Sequence, residues 1–145
     1  MTSYVVPDML ATSDDLAEWT KQAAPANADL VLRDCTTLVL DATRTACYET
    51  DPATGLAIDP NIAQALNDAT CIQAAAWGKL GIDPLAGGID TGGVKASKSI
   101  GSASFAIAGA AQTAAAKAFA TDNLVPAAVR RLRQQNLITT FTRHT

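Results

Sequence analysis

From Asp29 to Thr45, apolar side chains recur at steps of three and four, as Leu32, Cys35, Val39 and Ala42, and the stripe runs on to Ala46. That period predicts an amphipathic helix. Leu38 and Leu40 widen its stripe, as in a helix contacted on more than one side. A longer helix is predicted from Pro60 to about Leu80. Ile62, Leu66, Ala69, Gln73 and Ala76 mark one face, and Ala65, Ile72 and Trp77 broaden it. Asp59 is placed to cap it, Pro60 suits its first turn, and Gly78 or Gly81 can end it. The two stripes predict a shared core of Leu32, Cys35, Val39, Leu66, Ala69, Ile72 and Trp77.

Shorter elements flank this pair. Met1–Thr12 reads as an extended arm, since Val5-Val6-Pro7 disfavours helix before the proline. A short helix follows, with Ser13 as cap, Asp14, Asp15 and Glu18 near its positive end, and Leu16, Trp19 and Ala23 on one face. Tyr48–Ile58 carries Asp-Pro and Thr-Gly turn chemistry between extended flanks. Val94–Ile107 reads as a small β-hairpin around Gly101. Ala108–Ala120 reads as helix or as a mobile connection. A last helix begins at Pro126, with Val129, Leu132 and Leu137 inward and Arg130, Arg131 and Arg133 largely outward. Residues 137–145 form a β-prone tail. The fold expected is mainly α: one domain over residues 1–145, a small helical bundle around two long helices, with a hairpin insertion and an extended C-terminal tail.

Composition agrees with close helix packing. The chain has 145 residues with 30 alanines and only seven aromatics, so its helices can approach through small side chains. No purely apolar run is long enough to span a bilayer. Met1–Leu10 carries no basic residue and does not read as a secretory signal. Three widely spaced cysteines, Cys35, Cys47 and Cys71, suggest a reducing compartment rather than a disulfide framework. Cys35, on the apolar stripe, reads as a small buried hydrophobe, and packing is the default for Cys71.

Charge is distributed unevenly. Residues 1–72 carry a net −8 and residues 73–145 a net +5, which gives −3 for the whole. Solvated faces are the simplest reading of that asymmetry. The sharper one is a subunit with unlike ends, able to join copies head to tail.

Candidate chemistry is sparse. Gly87–Ser97 resembles a phosphate loop, but Val94 separates Gly93 from Lys95 and Ala96 separates Lys95 from Ser97. The lysine and hydroxyl therefore miss the spacing that places them on phosphate and magnesium. The single histidine, His144, gives no cysteine a base within an ordered element and no zinc site its ligands. No catalytic, metal or cofactor residues are assigned, and no enzyme is expected. Arg130, Arg131, Arg133 and Arg143 lack interleaved aromatics for nucleic-acid stacking. A solvated helix face is the simplest reading of them; the sharper one, with Phe141, is a protein-docking surface, because arginine's planar fork suits carboxylates at interfaces. The segment Ile138–Thr142 could add a strand to a neighbour's sheet edge.

Five pieces, in order, carry a family resemblance: the helix Leu30–Thr45 with Tyr48 and the Asp51–Asp59 turn; the helix Pro60–Trp77; the loop into Lys98-Ser99-Ile100-Gly101-Ser102; the helix Val125–Leu132; and the exit Gln135-Asn136-Leu137. Together they make the chain similar, over residues 13–138, to the head–tail adaptor (connector) proteins of long-tailed double-stranded DNA phages, especially those of actinobacterial hosts. The resemblance implies a non-enzymatic virion protein, assembled in the host cytoplasm. Such proteins form a ring, commonly of twelve copies, beneath the capsid portal. The implied partners are further copies, the portal and the next neck protein. DNA would pass through the lumen without sequence-specific binding, and no membrane is involved. Lys98 and Ile100 join Arg130, Arg131, Arg133, Phe141 and Arg143 as candidate interface residues. The alternative is a small helical protein-binding or regulatory module acting as monomer or dimer.

Overall fold

The computed structural model describes residues 6–86 and 114–138. Five helices occur among them: α1 (Ser13–Thr20), α2 (Ala28–Ala42), α3 (Pro60–Leu80), α4 (114–122) and α5 (Pro126–Gln134), with a single 3-10 turn at Pro84–Ala86. The mainly helical expectation is met. No strand is formed among the described residues, and the hairpin expected at 94–107 lies outside them, as does the tail beyond Ile138.

The central element is α3, and α1, α2 and α5 all pack on it. Its ends are set as expected. The Asp59 carboxylate accepts the Asn61 N–H at 2.8 Å, and Pro60 sits in the first turn. Gly81 stops the helix at φ +71°, a left-handed conformation that costs glycine little, and its N–H returns to the Trp77 carbonyl. Helix α2 ends three residues before the expected Thr45. The buried Thr43 caps it from within, donating its hydroxyl to the Val39 carbonyl at 2.9 Å, and the chain then turns.

The cap of α1 is Thr12 rather than Ser13. A reciprocal cap needs an acid three residues on. Thr12 has Asp15 there, whereas Ser13 would face Leu16. The Asp15 N–H donates to Thr12 Oγ1 at 3.2 Å, and the Thr12 N–H donates to Asp15 Oδ2 at 2.9 Å. Lys21 then turns left-handed at φ 58° and ends the helix, so Ala23 never joins its inner face. Leu16 is buried, but Trp19 is 45% exposed, against expectation.

The core divides in two. Leu16, Val31, Leu32, Cys35, Cys71 and Trp77 belong to one cluster. Val39, Ala65, Leu66, Ala69, Ala128 and Leu132 belong to the other. The seven residues expected to share one core are split between the two: Leu32, Cys35 and Trp77 are buried in the first and Val39, Leu66 and Ala69 in the second, with Ile72 half-buried at the edge of the second. The arm contributes more than its sequence suggests. Leu10 and Ala11 are buried, and the Leu10 N–H donates to the buried Thr36 Oγ1 of α2 at 3.0 Å. The Tyr48–Ile58 turn closes through an antiparallel bridge between Thr50 and Ala57, with Gly55 at φ +77°.

Candidate functional site

Helix α5 carries three of the expected interface arginines, and its amphipathic pattern decides how they divide. Ala128 and Leu132, one turn apart, are fully buried against α3. Arg130 and Arg133, three apart on the other side, are exposed. Arg131 falls between and is not outward as expected. Its Nε donates to Asp68 Oδ2 of α3 at 2.8 Å, with the two side chains 22% and 13% exposed. The other Asp68 oxygen accepts Gln64 Nε2 at 2.7 Å. Arg131 is therefore part of the seam between α3 and α5. Arg130 and Arg133 make no hydrogen bond or ion pair among the described residues. Phe141, Arg143, Lys98 and Ile100 lie outside the described residues.

The position of α5 depends on a polar clamp that the pattern of apolar residues did not reveal. Gln73, fully buried in the middle of α3, donates through Nε2 to the carbonyls of Ala120 at 2.9 Å and Asn123 at 3.0 Å. Its Oε1 accepts the Val125 N–H at 2.8 Å. The Trp77 indole N–H donates to the same Ala120 carbonyl at 2.8 Å. Both amide hydrogens and the amide oxygen of Gln73 are thus used, and only one orientation satisfies them. These bonds satisfy backbone groups in the last turn of α4 and in the link to α5. The one available signal was a glutamine on an apolar stripe, three residues before Ala76 and four before Trp77.

A second surface is formed by α1. Asp14 and Glu18, one turn apart, are exposed beside Trp19. Glu18 pairs with Lys21, whose hydrogen bond and charge hold its carboxyl below the usual range. Asp15 turns inward and accepts Asn67 Nδ2 of α3 at 2.9 Å. The Thr12 backbone N–H, followed by Asn67, lowers its carboxyl against the opposing effect of burial. Between α1 and α3 lies a cleft of about 360 Å³, with Glu18 and Trp19 on one wall and Gln64, Asn67 and Asp68 on the other.

The cysteines follow their environments. Burial first, then the charge of Asp34, pushes the Cys35 thiol far above its ordinary range. Burial and the nearby Asp15 and Asp68 push Cys71 up to about 12. Both are neutral at physiological pH and act as packing groups, and Cys47 is exposed. Among the described residues no cluster of three or more His, Cys, Asp or Glu side chains could hold a metal ion, and no helix is long and apolar enough to cross a membrane. No protein-family model, curated protein or solved structure matches the chain.

Proposed function

We propose that the chain is a structural subunit of the head–tail adaptor type, one copy in a ring that joins a phage portal to the neck and leaves a channel for DNA. The observation that carries this reading is the division of charge over one small helical body. Helices α1 and α2 present exposed acids, among them Asp14, Glu18, Asp29 and Asp41, while α5 presents Arg130 and Arg133. Both sets are borne by helices packed on α3. A ring is closed by heterologous contacts, in which two different faces of each subunit meet, and unlike faces on a rigid frame meet that need. The net negative charge of the chain suits a lumen that lets DNA pass, because phosphate neutralisation by a basic wall would hold it.

Electron microscopy of purified phage particles encoding the chain, with mass spectrometry of their proteins, tests the reading. The expected result is a ring of this chain between portal and tail. Truncation after Leu137, whose own side chain is buried, is expected to leave the subunit folded and head–tail joining defective. A chain missing from intact particles and active as a free monomer or dimer would overturn the reading in favour of a small helical binding module.

A further inference from the structure

We propose that the outward face of α5 docks on α1 of a second copy, with Arg130 and Arg133 meeting Asp14 and Glu18 across the ring of Trp19. The proposal rests on the ring reading above and supplies the contact that reading leaves unnamed. The two faces match in spacing as well as in charge. Arg130 and Arg133 are three residues apart, and Asp14 and Glu18 four apart. Each pair therefore projects from one side of its helix at nearly the same separation.

Trp19 distinguishes the α1 face from an ordinary solvated one. Trp19 is 45% exposed beside the charged outer residues of α1, and tryptophan and arginine are among the residues most enriched where binding energy concentrates. An arginine fork can lie over the indole and still bond a neighbouring carboxylate. The molecule already shows this kind of recognition beside the same cleft. Asp68, on its far wall, holds Arg131 of the chain's own α5 at 2.8 Å. Among the described residues Asp14 and both outward arginines make no bond within the chain. Lys21 competes for Glu18, but an exposed pair of this kind is weak and yields to a bidentate partner. A second copy is favoured as occupant because it is one molecule that carries both halves. Each copy would use α5 toward one neighbour and α1 toward the other, as ring closure requires.

Sedimentation velocity at low salt tests the contact on the full chain and on two charge reversals, Asp14→Lys with Glu18→Lys and Arg130→Glu with Arg133→Glu. All changed residues are exposed, and thermal melting checks that each variant is folded. The wild type is expected to associate with rising concentration, and each reversal alone to weaken association by about tenfold or more. A one-to-one mixture of the two variants should restore it, because every contact in the mixture again joins unlike charges. Trp19→Ala, which leaves the charge unchanged, should also weaken association. Acrylamide quenching should fall on association for Trp19, while the buried Trp77 contributes a constant background. Association that ignores both reversals, or a mixture no better than its components, overturns the contact and leaves the ring reading to particle imaging. A wild type monomeric at every concentration likewise overturns it, and absence from the particles would then overturn the ring reading separately. Duplex DNA bound by the wild type, lost in the arginine variant and seen without self-association, would assign the arginine face to nucleic acid instead.

Discussion

Arg131 and Arg133 lie two residues apart on one short helix, yet their surroundings differ completely. Arg131 lies in the seam with α3, half-buried against Asp68, where it helps fix the angle of α5. Arg133, with Arg130, is exposed and makes no hydrogen bond or ion pair among the described residues. The same residue type thus serves the fold on one side and faces solvent on the other. What decides is the 100° step between successive helix positions, together with an acid at the matching place on α3. The rest of α5 divides in the same way, with Ala128 and Leu132 inside and Gln134 exposed.

The comparison breaks most readily at the clamp beneath the inner side. Gln73→Leu keeps the size of the side chain but strands the Val125 N–H and the Asn123 carbonyl. It is expected to cost about 3 kcal/mol, read by chemical denaturation. Loss of under about 1 kcal/mol would mean that water replaces the amide. Ala69→Leu tests the apolar part of the same side. Ala69 is fully buried in the cluster that takes Ala128 and Leu132, so the added atoms should cost about 2 kcal/mol through overpacking. Full tolerance would show that the seam has slack.

The arginines sharpen the comparison directly. Arg131→Ala leaves Asp68 without its cation and should destabilise by about 1–2 kcal/mol, whereas Arg130→Ala and Arg133→Ala should each stay within about 0.5 kcal/mol. Equal effects at all three positions would remove the distinction between the sides.

A small effect is also expected at Asp15, on the α1 side. Its folded value lies below the ordinary 3.8. The stabilisation it provides is therefore present at neutral pH and is lost as pH falls through that lowered value. Asp15→Asn should flatten the acid limb of stability and cost about 0.5 kcal/mol at pH 7. Asp34 acts in the opposite direction. Burial raises its carboxyl, so its ionised form opposes folding at neutral pH and that opposition is relieved as pH falls. An unchanged acid limb in the Asp15→Asn chain would show that the α1 cap contributes nothing through charge.

The helices could be read from the sequence because period and punctuation agree. Leu32, Cys35 and Val39 repeat on one side of α2, and Asp59-Pro60 and Gly81 bracket α3 with the residues its ends require. The site was only partly readable. A run of three arginines near the C-terminus announces a basic helix, but which of them turns inward depends on Asp68, 63 positions earlier, and no local pattern encodes that pairing. The inward contribution of Leu10 and the clamp at Gln73 were hidden for the same reason, since each depends on a distant backbone or hydroxyl group. Trp19 was read as inward because its helix was expected to continue to Ala23. The left-handed Lys21 ends it first.

The most direct test sets the two sides of α5 against each other in one sedimentation series. Arg130→Ala with Arg133→Ala, compared with Arg131→Ala, should give a chain that melts within about 2 °C of the wild type but sediments as a monomer where the wild type associates. Arg131→Ala should melt earlier and still associate at temperatures where it is folded. Unchanged association in the double variant, or association lost in step with stability in both, would contradict a helix that folds through one side and assembles through the other.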